Sequence, residues 1–370
     1  MFAERMDRVR SAMVAEGVDV VLLSVGAELP WLCGYEAMPL ERLTMLVVPR
    51  DGDATLVIPR LEAARVVERP EVFGLLPWGE TEDPVAEVAK LASTASSVAV
   101  GDKTWATFVL GLQEHLPSAT FAPASRLLGP LRARKDDAEI AGLRAAGAAA
   151  DKVAAQLQGG EIALVGRTEA DVSADLSRRL IAEGHDHVNF AIVGSAANGA
   201  SPHHHASSRV IGPGEPIVCD FGGSFSLEEG LPGYCSDITR TIWTGGEPSA
   251  EFAEAYAVLH EAQAAAVAAV AKGLPCQDVD RAARRVIDAA GYGDRFIHRT
   301  GHGIGIEEHE DPYIVEGNDE PLEVGHAFSI EPGIYTDGRW GMRLEDIVVC
   351  GPDGADPMNK ADHGLAVVDA

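Results

Sequence analysis

Four acidic residues lie inside apolar runs that have the composition of β-strands. An ionised carboxylate in an apolar sheet costs several kcal/mol unless charges or hydrogen bonds compensate it. A single acid of this kind is usually solvated at a sheet edge or paired with an arginine, and Arg240 or Arg343 could be that partner. Four acids in two similar hairpins instead indicate a shared site. They are Asp220 in "EPIVCDFGG", Asp237 in "YCSDITRTIW", Glu331 in "HAFSIEPGIY" and Glu345 in "GMRLEDIVV".

A histidine in a glycine-rich turn could complete such a site. The stretch "HRTGHGIGIEEHEDPYI" is not a zinc-protease helix, because Tyr313 stands where the H-E-x-x-H pattern needs its second histidine. Glycines at positions 301, 303 and 305 each cost about 1 kcal/mol in a helix, so we expect His302 on a loop or a short strand. Its partners must then come from elsewhere in the chain.

Four carboxylates and one neutral histidine that converge would be balanced by two divalent cations. Without metal the carboxylates would repel one another and their pKa values would rise. Oxygen-rich ligation suits Mn²⁺ or Co²⁺ first, with Fe²⁺ and Zn²⁺ as alternatives. The residues therefore indicate a two-metal hydrolase.

The alternation of side chains along a strand predicts which groups accompany the acids. In "MRLEDIVV" Arg343 and Glu345 face one side of the strand, so an arginine is expected beside Glu345. In "SDITRT" the same rule places Asp237 with Thr239, whose hydroxyl could hydrogen-bond the carboxylate. Thr239 is thus a predicted supporting residue rather than a ligand.

The bulk composition excludes several classes of function. With 30 basic and 57 acidic residues the net charge is −27, which repels phosphate backbones and anionic membranes, so neither nucleic acid nor a membrane is an expected partner. The sequence has no run of eighteen apolar residues and no secretory segment, and we expect a cytoplasmic protein. Its five cysteines are scattered and never in C-x-x-C spacing, which predicts buried, reduced thiols.

The chain of 370 residues is long enough for two or three domains. The first 125 or so residues alternate apolar runs with helical segments, which is typical of an α/β unit. Gly129 and Pro130 punctuate the sequence before a long alanine-rich helix, so we predict domains at 1–128 and 129–370.

Two helical segments of the second region resemble each other at an offset of 107 residues. Residues 168–184 and 275–291 share Asp, Val, Arg and Gly at corresponding positions. Chance similarity between two amphipathic helices is one explanation, and internal duplication is the other. A duplicated domain would have a pseudo-twofold axis, and a site would lie between its halves.

The motifs "CDFGG", "GYCSDITRTIW", "TGHGIG", "SIEPGIY" and "MRLEDIVV" resemble, in the same order, those of the metallopeptidases that include prolidase, aminopeptidase P and methionine aminopeptidase. The resemblance covers residues 131–370 and implies an α+β, pseudo-twofold "pita-bread" catalytic domain. A preceding α/β domain accompanies this fold in prolidase, aminopeptidase P and creatinase. This combination implies a proline-directed peptidase.

The resemblance also implies roles for individual residues. Asp220 would chelate one metal, His302 and Glu331 the other, while Asp237 and Glu345 would bridge both. Glu331 would also accept the proton of the attacking water, and His203 and His309 would hydrogen-bond the substrate carbonyl or the oxyanion. Six other histidines carry less: His298 is a weaker candidate, His204 and His205 are expected in a solvated loop, and His185, His187 and His326 are expected to be ordinary surface or core residues.

The sequence departs from the family in two places. Sixteen residues separate Asp220 from Asp237, so "SFSLEEGLPG" is expected to form an enlarged loop. Many dipeptide-specific members carry an arginine where this chain has Tyr313, and such an arginine suits the carboxylate of a dipeptide. Arg343 could take that role, so Tyr313 and Arg343 are the predicted substrate-binding residues.

Three functions remain open at this point. The first is a peptidase that cleaves the bond before proline, as an Xaa-Pro dipeptidase or as an aminopeptidase P. The second is a metal-free creatinase-like hydrolase or an inactive peptide-binding relative, and the third treats the acids as solubility charge. Relatives are commonly homodimers whose N-terminal domain reaches the partner's site, and "ELPWLCGYE" with Trp31 is a candidate for that edge.

Overall fold

The computed structural model describes residues 1–369 and divides into two compact units. The first unit comprises Met1–Arg132 together with Glu228–Pro232. The second comprises Ala133–Leu227 and the chain from Gly233 onward. Among the described residues, no helix combines the length and the apolar composition that crossing a bilayer requires.

The N-terminal unit is built on one six-stranded mixed sheet in the order β4-β3-β2-β1-β5-β6. Its strands are β1 (Val20–Leu23), β2 (Met45–Pro49), β3 (Ala54–Pro59), β4 (Phe73–Trp78), β5 (Ser97–Val100) and β6 (Thr120–Pro123). Its helices are α1 (Phe2–Glu16), α2 (Glu28–Cys33), α3 (Pro84–Leu91), α4 (Ala106–His115) and α5 (Ser125–Ala133), whose last residue belongs to the second unit. The central β1 is fully buried, as expected of a strand covered on both faces. The predicted α/β character of this region is confirmed.

The second unit contains two pairs of helices and two five-stranded sheets. The helices are α6 (Asp137–Gln158), α7 (Glu169–Ala182), α8 (Ala250–Ala269) and α9 (Cys276–Ala289). The first sheet has the order β18-β10-β8-β7, with β9 paired to β8, and the second has the order β12-β11-β13-β16-β17. Their strands are β7 (His187–Ser195), β8 (Pro216–Phe225), β9 (Tyr234–Cys235), β10 (Ile238–Thr244), β11 (Gly301–Gly303), β12 (Glu310–Ile314), β13 (Ala327–Ile330), β16 (Asp346–Gly351), β17 (Gly354–Pro357) and β18 (Ala366–Val368). A separate two-stranded ribbon pairs β14 (Gly333–Thr336) with β15 (Trp340–Arg343).

The two halves of this unit repeat each other. Each sheet packs against its own pair of helices, α6 and α7 in one half and α8 and α9 in the other. The offset of 107 residues that relates α7 to α9 also carries β8 onto β13 and β10 onto β16. Gly184 and Gly291, which follow the two related helices, both adopt positive φ, at 106° and 82°. The predicted pseudo-twofold α+β fold is confirmed.

The two sheets are joined where β10 approaches the chain before β16. Thr239 and Glu345 form an isolated antiparallel bridge, and the Glu345 N–H donates to the Thr239 carbonyl at 3.2 Å. Next to it the fully buried guanidinium of Arg240 donates to the Glu345 carbonyl and to Asp346 Oδ1, each at 2.8 Å. These bonds fix the junction on which the site is built.

Three features outside the site bear on the sequence-based expectations. All five cysteines are free and buried, as predicted. Trp31, named above as a candidate for an edge that reaches a partner, is 1% exposed inside α2, and the Arg5 guanidinium carbon lies 5.3 Å from its ring centroid. The connection between β8 and β9 is also shorter than the spacing of the two aspartates suggests. Strand β8 continues to Phe225, so only residues 226–233 lie between the paired strands.

Candidate metal centre

Breaks between strands place three of the four carboxylates. Asp237 lies between β9 and β10, Glu331 between β13 and β14, and Glu345 between β15 and β16. Only Asp220 lies within a continuous strand, the fully buried part of β8. The predicted hairpin that carries Glu331 and Glu345, formed by "HAFSIEPGIY" and "GMRLEDIVV", is confirmed, since β13 pairs with β16 and β14 pairs with β15. The breaks let the carboxylates turn toward a common point rather than follow the pleat.

The structure brings all five predicted ligands to one cavity of about 710 Å³. One ligand atom from each of Asp237, His302 and Glu345 lies within 4.8 Å of the others. His302 Nε2 is 3.3 Å from Glu331 Oε1 and 3.7 Å from Asp237 Oδ2. Asp220 lies on the same cavity wall and is joined to the cluster through Arg343.

Glycines hold His302 in its place. A Cβ at Gly301 would lie 1.8 Å from the Ser329 carbonyl oxygen, and one at Gly303 would lie 2.3 Å from the Asp311 backbone. Only glycine therefore allows β11 to pass so close to its neighbours, and the prediction that His302 lies on a short strand rather than a helix is confirmed.

Hydrogen bonds orient the His302 ring toward the acids. Its Nδ1 is 3.1 Å from the Gly303 carbonyl, which assigns the proton to Nδ1 and leaves the Nε2 lone pair toward the carboxylates. Burial lowers the pKa of His302 to about 3, so the ring is neutral. The Ser329 hydroxyl accepts a hydrogen bond from the backbone N–H of His302 at 3.0 Å and donates one to Glu331 Oε1 at 3.2 Å. One serine thus positions two of the predicted ligands.

The carboxylates of the site are buried close together and repel one another. Burial, followed by the charge of Glu345, raises the pKa of Asp237 well above its usual range. Burial, followed by the charge of Glu331, does the same to the pKa of Glu345. Burial also raises the pKa of Glu331 to about 7. Such shifts are those of like charges held together out of water.

Two buried carboxylate oxygens have no hydrogen-bond partner among the described residues. They are Oδ1 of Asp220 and Oδ1 of Asp237. Leaving a buried hydrogen-bond acceptor unsatisfied costs free energy. A bound cation would give both oxygens a partner and would also neutralise the repulsion between the carboxylates. Four carboxylates and one neutral imidazole nitrogen form a donor set that fits a pair of divalent ions.

The supporting hydrogen bonds differ from those that strand alternation predicted. The hydroxyl of Thr239 donates to Glu345 Oε2 at 2.6 Å instead of bonding Asp237. Arg343 pairs with Asp220 rather than Glu345, and its Nε donates to the Thr239 hydroxyl at 3.0 Å. Each pairing was inferred across the end of a strand, since Asp237 lies just before β10 and Glu345 just before β16, and the alternation does not hold across these breaks.

The buried Arg343 side chain uses all its guanidinium nitrogens in hydrogen bonds within this network. It is 2% exposed, and besides Thr239 and Asp220 its terminal nitrogens reach the Tyr335 hydroxyl at 3.0 Å and the Pro202 carbonyl at 3.5 Å. Although burial opposes it, the negative charges of Asp220, Glu345 and Glu331 raise the pKa of Arg343 well above its usual value. These contacts make Arg343 a positioning residue for Asp220 and leave little of it for a substrate.

The predicted histidines His203 and His309 both line the cavity. His203 is exposed, and the His309 ring centroid is 4.0 Å from that of His302. Burial lowers the pKa of His309, so its ring is neutral at neutral pH and carries one N–H donor. The weaker candidate His298 lines the same cavity, with Nε2 2.9 Å from the Tyr335 hydroxyl, and burial lowers its pKa to about 3.

Several placements were not foreseen from the sequence. His204 is not solvated, because its Nε2 contacts the buried carboxylate of Glu169 at 2.8 Å. Tyr313 does not line the cavity, and its ring lies under the guanidinium of Arg299 instead. Seven cavity residues were not among the predicted or candidate site residues, and one of them, Arg299, lies within "HRTGHGIG". They are Phe190, Ile192, Ser201, Pro202, Ile297, Arg299 and Glu308.

Comparison with known proteins relates both parts of the chain to peptidases. Residues 141–352 match the model described as metallopeptidase family M24, and residues 5–134 match the creatinase/prolidase N-terminal domain. A protein of Mycobacterium tuberculosis named probable dipeptidase PepE is 43% identical over 100% of this chain and 97% of its own. The Xaa-Pro dipeptidase of Lactobacillus helveticus is 34% identical, with 98% of each chain covered.

Solved structures agree with these relatives. A recombinant prolidase from Thermococcus sibiricus superimposes with a TM-score of 0.92 at 34% identity, covering 100% of this chain and 99% of its own. The range matched by the M24 model contains all five predicted ligands that line the cavity. The chain belongs to metallopeptidase family M24.

Proposed function

We propose that this protein is a dinuclear-metal Xaa-Pro dipeptidase that hydrolyses the peptide bond preceding proline. The convergence of Asp220, Asp237, His302, Glu331 and Glu345 in one cavity supports the metal chemistry. The relatives named dipeptidase and Xaa-Pro dipeptidase support the substrate class. Mn²⁺ or Co²⁺ is the proposed metal, with Fe²⁺ and Zn²⁺ as alternatives, because the donor set is mostly oxygen.

The side chains around the cavity have distinct roles in this reaction. Divalent ions bound there would lower the pKa of a water and polarise the scissile carbonyl. Glu331, oriented by the Ser329 hydroxyl, accepts the proton of the attacking water and passes it to the leaving proline nitrogen. His203 and His309, which line the cavity, donate their ring N–H groups to the carbonyl oxygen as negative charge develops on it.

Three apolar side chains line part of the cavity wall. Phe190, Ile192 and Ile297 supply a surface for the proline ring and for an apolar residue before it. The volume of about 710 Å³ lies within the range of about 300–1,000 Å³ that small-molecule sites occupy. A dipeptide is therefore a ligand of suitable size.

The test is a comparison of two substrates with metal-loaded protein. Incubation with Ala-Pro and with Ala-Pro-Ala in Mn²⁺ or Co²⁺, followed by assay of free amino acids, is expected to show hydrolysis of Ala-Pro. Faster hydrolysis of Ala-Pro-Ala would favour the aminopeptidase P alternative. Hydrolysis of neither substrate, with no metal bound, would favour a metal-free or inactive relative.

The proposal also extends to cellular context. The buried, unpaired cysteines support a reducing compartment, and we place the protein in the cytoplasm. The resemblance to dimeric peptidases supports a homodimer, which light scattering coupled to gel filtration would measure. The net charge of −27 makes nucleic acid and anionic membranes unsuitable partners.

A further inference from the structure

The cavity has two residues with a permanent positive charge, Arg299 and Arg343. Five carboxylates line the same cavity, so a ligand that carries a carboxylate needs a cation to approach. Arg343 is buried and committed to Asp220, Thr239 and Tyr335. The other arginine is therefore the one to consider.

Arg299 is available in a way that Arg343 is not. It is half-buried on the cavity wall, and its side chain has no hydrogen-bond or ion-pair partner among the described residues. Its guanidinium carbon lies 4.4 Å from the centroid of the Tyr313 ring. Stacking on an aromatic face restricts the plane of a guanidinium while leaving its N–H edges free.

The position of Arg299 places it close to the reacting groups. It precedes His302 by three residues, and both side chains line the same cavity. His309, whose ring centroid is 4.0 Å from that of His302, lines this cavity as well. A group bound to Arg299 therefore lies beside the bond to be cleaved.

We infer that Arg299, held in plane by Tyr313, binds the free C-terminal carboxylate of an Xaa-Pro dipeptide. A planar guanidinium can donate two parallel hydrogen bonds to a carboxylate. A longer peptide has an amide in place of that free carboxylate after proline and could not accept both bonds. The inference rests on the proposed peptidase function and deepens it, because it makes the free carboxylate the feature that selects dipeptides. Arg343 instead positions Asp220.

The experiment compares Ala-Pro with Ala-Pro amide, which lacks the negative charge. For the metal-loaded wild-type protein we expect kcat/KM for Ala-Pro to exceed that for the amide by about 10- to 100-fold. Arg299→Gln should lower kcat/KM for Ala-Pro by a similar factor, mainly through KM, and leave the amide nearly unchanged. Arg299→Lys should recover only part of the preference, because an ammonium lacks the planar fork.

Matched variants separate recognition from folding. Arg285→Gln removes an exposed arginine of α9 that does not line the cavity, and it should leave both substrates unaffected. Tyr313→Leu should raise KM for Ala-Pro about two- to fivefold, since the stacking that orients Arg299 is lost. Metal content and thermal midpoint, measured for each variant, should equal those of the wild type.

Two results would overturn the role of Arg299. One is a wild-type protein that hydrolyses Ala-Pro and its amide equally well. The other is an Arg299→Gln variant, with normal metal content, that loses activity on both substrates by the same factor or on neither. Failure of the proposed function itself looks different, because the wild-type protein would then hydrolyse neither substrate.

Discussion

Replacing Thr239 by valine isolates the contribution of a supporting hydrogen bond to metal binding. The Thr239 side chain is fully buried, and its hydroxyl donates to Glu345 Oε2 at 2.6 Å while accepting from Arg343 Nε at 3.0 Å. Valine has nearly the same shape but lacks the hydroxyl. The change therefore removes two hydrogen bonds with little change in packing.

The expected effect follows from the charge of the partner. A hydrogen bond to an ionised group contributes about 1.5–3 kcal/mol. The bond from Thr239 favours the ionised form of Glu345, whose pKa is raised chiefly by burial, and metal binding needs that ionised form. Losing it should weaken metal binding by about 10- to 100-fold, as for other groups that orient metal ligands.

The assay is calorimetric titration of metal-free protein with Mn²⁺, with urea unfolding of the same samples. Thr244→Val is the matched control, because Thr244 is also fully buried on β10 but donates only to backbone carbonyls, those of Gly212 and Glu215, at 2.8 and 2.9 Å. Both variants should lose about 1–3 kcal/mol of unfolding free energy. Only Thr239→Val should lose metal affinity.

The reasoning would be refuted by equal metal affinity in the Thr239→Val variant and the wild type. It would also be refuted if Thr244→Val weakened metal binding to the same extent. That second result would show that the affinity for Mn²⁺ depends on the overall stability of β10 and not on the hydrogen bond to Glu345.

Three further predictions concern the scaffold. Arg240→Met breaks the buried pair with Asp346 and should cost about 3–5 kcal/mol in urea unfolding, whereas Arg339→Met, in an exposed pair, should leave the urea midpoint nearly unchanged. Although burial opposes it, hydrogen bonds lower the pKa of Glu169 to about 2. The ionised carboxylate therefore stabilises the fold by about 3 kcal/mol above about pH 4.5, and this stabilisation is lost as the pH falls toward 2. In the Glu169→Gln variant the unfolding free energy should change less with pH across that window. Gly301→Ala should weaken Mn²⁺ binding about tenfold or more, because the added Cβ meets the Ser329 carbonyl; unchanged binding would contradict this account of β11.

The convergence of the acids on one cavity could be foreseen from the sequence because of its energetic cost. A carboxylate such as Asp237 or Glu345 among isoleucines, valines and leucines is tolerated only if other charges or hydrogen bonds compensate it. A single metal site can compensate all four carboxylates at once. The pseudo-twofold fold was equally accessible, since the offset between α7 and α9 is a local pattern. Periodicity and unfavourable burial are properties that single segments reveal.

The partners of the supporting residues could not be foreseen in the same way. Alternation predicts faces only along an unbroken strand, and Asp237 and Glu345 both lie in the gaps just before β10 and β16. Thr239 contacts Glu345 instead of Asp237, and Arg343 contacts Asp220 instead of Glu345. The exact arrangement depends on how two sheets meet, which no single segment encodes.

Contacts between distant segments set the remaining limits. His204 was expected in solvent because its loop is polar, yet the buried carboxylate of Glu169 on α7 holds it. The sequence did not indicate Arg299 as a site residue, although it lies within "HRTGHGIG", because its availability depends on the Tyr313 ring beneath it and on the bonds that occupy Arg343. Availability of a charged group is a property of its surroundings and becomes visible only in three dimensions.

The central claim is that five side chains hold two divalent cations in one cavity. A crystal of the protein grown with Mn²⁺, recorded at the manganese absorption edge, tests it most directly through the anomalous difference map. We predict two peaks, each within bonding distance of carboxylate oxygens from the set formed by Asp220, Asp237, Glu331 and Glu345, and one of them also bonded to His302 Nε2. A map without anomalous density among these side chains, from protein that still hydrolyses Ala-Pro, would contradict the account.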